Sequence, residues 1–160
     1  MRQVEGEAWP DLSDEVLIAS APEWLAPHLA GLTRLRELAG LDLAQMLLGL
    51  LPWEARRGLD QVLPARLALP AGRSAAIDYA RDVPTLEAHA QHLFGLPGLP
   101  LLAGGRVPLQ VALLSPAGRP IAITGDLAAF WAGSWAEVRR EMRGRYPKHA
   151  WPENPAAPQG

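Results

Sequence analysis

The spacing of apolar residues changes twice along the chain. Up to residue 64 it follows the helical period. Ser20-Ala-Pro-Glu23 has the form of a capping box, with Trp24, Leu25 and Leu29 on one face behind it and Gly31 as the stop. Asp42 is placed to cap a second helix carrying Leu43, Met46, Leu47 and Leu50, which Pro52 ends or kinks. A third segment turns Trp53, Leu59, Val62 and Leu63 inward and stops at Pro64. From Leu67 the period shortens to two. Leu67 and Leu69 alternate with polar or small residues, Pro70-Ala71-Gly72 makes a turn, and Ile77 and Tyr79 alternate after it. Val107, Leu109, Val111 and Leu113 alternate again, and Ser115-Pro-Ala-Gly118 turns the chain into Ile121 and Ile123. Both turns carry the string P-A-G-R-x-x-A-I, from Pro70 and from Pro116; either a hairpin was duplicated or an Ala/Pro/Gly-rich chain repeated a turn by chance. Between the hairpins, Leu86 to Phe94 reads as a strand running into a short helix, and Gly95 to Gly105 as a loop.

The helical period then returns. Asp126 caps a short helix with Leu127, Phe130 and Trp131, ended by Gly133. Ser134-Trp-Ala-Glu137 is a second capping box, opening a helix that Gly144 closes. Trp135, Val138 and Met142 form its buried stripe, while Arg139, Arg140 and Arg143 point mostly to water. Pro152, Pro155 and Pro158 keep the last residues non-helical. The pattern predicts an α+β fold: an N-terminal helical segment, a small antiparallel sheet or barrel built from hairpins, and C-terminal helices packed alongside. Residues 1–64 form the helical subdomain and 65–160 the sheet, helices and Pro-rich tail, unless the two are one continuous domain.

Composition narrows the function. The chain has 160 residues, 49% of them hydrophobic and 20% charged, which is enough for a core without metal or disulfide staples. There is no cysteine, which excludes thiol catalysis and cysteine-ligated zinc and suits a reducing cytoplasm. The longest apolar stretch, Met46 to Pro52, is too short to span a membrane, and the first residues lack a signal-peptide pattern. A soluble, cytoplasmic protein with no membrane contact is expected.

No catalytic motif survives inspection. There is no phosphate-binding loop of the form G-x-x-x-x-G-K-[ST], and the only lysine is Lys148. Gly104-Gly105-Arg106 is glycine-rich but leads into a strand, so it reads as a turn. His89-Ala-Gln-His92 with Glu87 nearby hints at a metal site, yet zinc hydrolases need a glutamate beside the first histidine, where this chain has Ala90. Gly72-Arg-Ser74-Ala-Ala76 lacks the last glycine of a nucleophile elbow and lies on a hairpin. These residues describe a binding or structural module with no metal or cofactor of its own.

The net charge of −2 conceals an asymmetry. Residues 1–30 hold six acids against Arg2, and residues 139–148 hold five cations against Glu141. A basic end of this kind is either a solvated face or a surface for phosphate or an acidic protein face, the acidic end of this chain included. In Arg143-Gly-Arg145-Tyr146-Pro-Lys148-His149-Ala-Trp151, basic side chains interleave with two aromatics. Arg140, Arg143, Arg145 and Lys148 are candidates to hold phosphates, and Tyr146 to stack on a base. Trp151, flanked by proline, reads as an anchor packed onto the preceding domain.

These same residues resemble the end of the bacterial HrpB-type helicases, which reads GRVPL, LLSPAGRP, DL-x-x-FW, EV-x-x-EM-x-GRYPKH and WP-[DE]-DP. The chain carries GRVPL at 105–109, LLSPAGRP at 113–120, DLAAFW at 126–131, EVRREMRGRYPKH at 137–149 and WPENP at 151–155. Glu23-Trp24-Leu25, Pro27-His28-Leu29, the Leu-rich helix near Leu50 and Trp53 extend the likeness from about Trp24 to Pro155. Gly125 departs from the polar or charged residue usual before Asp-Leu, Asn154 replaces an acid, and Ala150 falls at a variable position. The resemblance implies a C-terminal accessory domain of a DExH-box ATP-dependent helicase. ATP and Mg²⁺ belong to the motor of such an enzyme, and no motor motif lies in this chain. A dissected domain or shortened frame is therefore expected, with the motor domains as partner and single-stranded RNA or DNA as a further ligand. The alternative implied role is docking to protein without nucleic acid contact.

Overall fold

The computed structural model describes residues 1–158, apart from the side chain of Ala71. It divides into two units, Met1–Leu59 and Asp60–Gly160. The first is a run of short helices: α1 (Arg2–Glu5), α2 (Asp14–Ala19), α3 (Ala21–Trp24), α4 (Ala26–Leu29) and α5 (Leu43–Gly49). Helix α6 (Trp53–Val62) crosses the boundary between the units. Asp42 caps α5 as its sequence predicts, its carboxylate accepting from the Gln45 amide at 3.1 Å. Ser20 does not form the expected box with Glu23. It already closes α2, and its hydroxyl turns back to donate to the Val16 carbonyl at 2.8 Å. Trp24 is partly buried, its indole N–H donating to Leu17 O at 2.9 Å. Trp53, expected to face inward, is exposed instead, as is Leu43 of the second helix's apolar set.

The second unit carries the sheet. Strands β1 (Arg66–Leu69), β2 (Arg73–Asp78), β3 (Thr85–His89), β4 (Gln110–Leu114) and β5 (Pro120–Thr124) lie side by side in chain order. Both Pro-Ala-Gly strings are hairpin turns. The first joins β1 to β2 with Leu69 opposite Arg73, and Gly72 supplies a positive φ of 69°. The second joins β4 to β5, where Gly118 N donates to Ser115 O at 2.8 Å and Arg119 N to Ser115 Oγ at 3.1 Å.

The sheet is α+β in its setting but neither wholly antiparallel nor a barrel. Strands β3 and β4 run parallel, Thr85 opposite Gln110 through His89 opposite Leu114. The cause is the connection between them. A hairpin needs a short loop, whereas this chain leaves β3 through helix α7 (Ala90–Leu93) and the loop before Gln110, long enough to cross back and re-enter in the same direction. Strands β1 and β5 stay at opposite edges, so the sheet is open. Val107 and Leu109 lie outside β4 although they share its alternation. Pro108 between them has no N–H for a ladder, and Val107 makes only an isolated bridge to Leu102.

Helices α8 (Leu127–Ala132) and α9 (Trp135–Arg145) complete the core. Asp126 caps α8 through the Ala129 amide at 2.9 Å, and Gly133 ends it. Ser134 is not a side-chain cap. Its backbone is already helical (φ −64°, ψ −17°), whereas a capping side chain needs an extended residue. Nor does Gly144 close α9, which continues to Arg145 before Tyr146 and Pro147. Trp135 and Met142 are buried as the stripe predicts, with Val138 partly so. Around Trp135 gather Phe94, Phe130, Trp131 and Trp151, with ring centroids 5.1–6.3 Å from it. Three of these rings send an indole N–H to a main-chain carbonyl at 2.9 Å: Trp131 to Leu96, Trp135 to Pro152 and Trp151 to Tyr146. With Gly95 N donating to Pro155 O at 2.8 Å, the Pro-rich tail becomes part of the core.

Candidate nucleic-acid interface

The expected interface gathers where α9 hands over to the tail. Its five residues do not converge. Arg140 and Arg143, three apart, occupy one flank of α9 and are exposed. Arg145 lies roughly 140–160° round the axis from them, because each helical residue advances about 100°. It is also engaged, its guanidinium 3.1 Å from Glu141 one turn back. Lys148 is exposed in the turn that follows. Among the described residues, Arg140, Arg143 and Lys148 have no ion pair.

Tyr146 is partly buried. It packs against the hydrophobic core and meets His149 edge-on at 6.3 Å, while its carbonyl accepts the Trp151 indole N–H. Trp151 is buried between Phe94 and Trp135, as its proline flanks suggest for an anchor. The aromatics of the segment are thus committed to packing. What remains facing water is charge.

Arg139 plays a part that the expected water-facing position conceals. Its Nε donates to Trp151 O at 2.8 Å and a terminal nitrogen to Glu153 Oε1 at 3.0 Å, fastening the tail to α9. The signal lay in the helical spacing. Four residues after Trp135, Arg139 borders the buried stripe, and Glu153 is an acid in the tail that returns past it.

Among the described residues no three His, Asp or Glu side chains are placed to hold a metal, and no helix is long and apolar enough to cross a membrane. His89 ends β3 and His92 lies on α7, so the pair does not share one helical face. Gly104 and Gly105 form a turn with φ of 66° and 87°.

A family model described as "ATP-dependent helicase C-terminal", HrpB_C, matches residues 24–155. The chain belongs to this family. It is 49% identical over 149 residues to the ATP-dependent RNA helicase HrpB of Escherichia coli (strain K12), covering 92% of this chain and 18% of that protein. The crystal structure of the E. coli DExH-box NTPase HrpB superposes with a TM-score of 0.82 at 49% identity, over 93% of this chain and 19% of that one. A second, of the Escherichia coli DEAH/RHA helicase HrpB, gives 0.65 at 46% identity over 89% and 18%. The HrpB_C chain therefore spans less than a fifth of the relatives it matches. The matched segment contains both hairpins, the aromatic core and the basic flank of α9.

Proposed function

We propose that this HrpB_C domain is a docking module, in which the helical unit packs its apolar side chains against the motor of an HrpB-type helicase. The observation that carries this reading is burial. No residue of 1–59 is buried, and Ile18 is 75%, Leu35 86% and Trp53 68% exposed. Apolar groups of this size lose roughly 1.5–3 kcal/mol each by staying in water. A surface partner supplies the missing cover. The relatives extend far beyond the matched segment, so the rest of such a helicase is the partner of the right kind.

The test mixes the chain with the E. coli HrpB protein from which the matching segment has been removed, and follows association by calorimetry. Binding is expected, and a combined Ile18→Ser, Leu35→Ser, Trp53→Ser variant should bind at least about tenfold more weakly. Equal binding by both would reject docking through this unit.

A second reading rests on Arg140, Arg143 and Lys148, which are exposed and free of ion pairs among the described residues. In this reading they meet phosphates of a nucleic acid strand and supplement the motor. Since Tyr146 is packed, the contact is sequence-indifferent and carried by charge. Three phosphate contacts give a log–log salt slope near −2 on single strands. Arg140→Ala with Arg143→Ala should flatten it; an unchanged slope removes this role.

A further inference from the structure

Strands β2 and β3 pair only at Ile77 with Leu86 and Asp78 with Thr85. Along them runs an open depression of about 510 Å³, whose charged and titratable lining residues are Asp78, Arg81, Glu87, His89 and His92. Three of these are already satisfied by one another. Arg81 engages both acids, Asp78 Oδ2 at 3.0 Å and Glu87 Oε1 at 2.6 Å. The two histidines are left. His89 ends β3 and His92 lies on α7, whose Ala90 and Leu93 are fully buried, so the strand-to-helix junction fixes both rings against the core. Their centroids are 5.3 Å apart and their planes are inclined at 74°.

His89 Nδ1 donates to the Ser115 carbonyl at 2.7 Å. A carbonyl only accepts, so the ring hydrogen sits on Nδ1 and the neutral ring carries its lone pair on Nε2. Such a carbonyl behind the ring is what orients metal-binding imidazoles. The His92 ring has no hydrogen bond among the described residues. Burial above all, then the Arg73 and His89 charges, holds it below the ordinary histidine range, so it is neutral near neutrality and has a lone pair to give. Two imidazoles that share a tetrahedral ion, each nitrogen about 2.0–2.1 Å from it, have ring centres roughly 5 Å apart. We infer that His89 and His92 form a two-imidazole site for a divalent cation of the zinc and copper class, with water at its remaining positions. Because Arg81 holds both acids of the depression, the protein supplies two ligands, one fewer than a catalytic zinc site has. The ion is therefore exchangeable, and no carboxylate is left to act as a base on its water. The site does not depend on either role proposed above.

The experiment titrates zinc chloride into the untagged chain and follows the imidazole ring signals by NMR, with copper sulfate and magnesium chloride compared by calorimetry. Zinc should saturate at one ion per chain and move the His89 and His92 signals together, with the hydrogen on His89 Nδ1 retained. The exposed His28 and His149 should respond only at higher zinc. Copper should bind more tightly than zinc and magnesium not at all, since magnesium takes oxygen ligands. His92→Gln should weaken zinc binding at least about tenfold and abolish the rise in melting temperature that zinc gives the wild type. His92 has no hydrogen bond to lose, and melting without metal checks that the variant is folded. His89→Gln, which can still donate to the Ser115 carbonyl, is the second variant and should do the same. Unmoved His89 and His92 signals in excess zinc, a response confined to His28 and His149, or equal zinc binding by wild type and the folded variants would overturn the site.

Discussion

Trp53 and Trp135 each open a helix, yet Trp53 is 68% exposed and Trp135 only 1%. The difference lies in what surrounds them. Trp135 has four aromatic neighbours and a carbonyl for its indole N–H, drawn from the residue after α7, from α8 and from the tail. Trp53 has no aromatic contact among the described residues. The same contrast separates the two units: residues 1–59 contain no buried side chain, while the second unit holds a continuous core from Leu69 to Trp151. Apolar periodicity marks a face to be covered, but does not say which surface covers it. In the second unit the cover comes from the same chain. In the first, we attribute it to the motor of the helicase.

Breaking the core gives the largest effect. Trp135→Ala removes a fully buried indole and leaves Pro152 O without its donor, so it should cost about 3–5 kcal/mol in denaturant unfolding of the second unit. A cost under about 1 kcal/mol would mean that the aromatic cluster is not what holds this unit together. Arg139→Met keeps the aliphatic stem of the side chain but frees the tail. The bond to Trp151 O is partly buried and charge-assisted, while Glu153 is exposed and contributes little. A loss of about 1–2 kcal/mol is expected, with faster amide exchange around Trp151 as the specific readout.

Leu35→Ser should be nearly silent in the isolated chain, within about 0.5 kcal/mol, because Leu35 already faces water. Its effect should appear only in binding to the motor. This asymmetry sharpens the contrast with Trp135: a silent substitution that weakens association marks an interface, and one silent in both marks ordinary surface. The smallest effect concerns pH. Because His92 is held below the ordinary histidine value, the unfolded chain protonates more readily than the folded one. Stability should therefore fall as pH drops below about 6.5 and level off beneath the folded-state value. His92→Gln should remove that component, as a pair of urea titrations above and below neutrality would show.

Much of the fold was legible because local signals sufficed. The two Pro-Ala-Gly turns, the Asp42 and Asp126 caps and the Trp135–Met142 stripe each depend on residues near in sequence. The parallel pairing of β3 and β4 was not legible, since alternation is the same in either direction and only the path through α7 decides. The serine caps failed for a related reason. A Ser-x-x-Glu string permits a box, but Ser20 is taken up in closing the helix before it and Ser134 already has a helical backbone. At the basic end, sequence identified the charges and their clustering but not their directions. Arg145 turned to Glu141, Tyr146 to the core, and Arg139 to the tail. The role of Trp53 depends on what covers its face, which periodicity does not carry.

Amide hydrogen exchange measured along the chain, alone and in the presence of the E. coli HrpB protein lacking its matching segment, tests the docking account most directly. Exchange should be slow around Val111, Leu113 and Met142 in both states. Residues 1–59 should exchange quickly in the chain alone and become protected when the motor is present. Equal protection of residues 1–59 in the two states, with association independently shown, would contradict the claim that this unit is the docking surface.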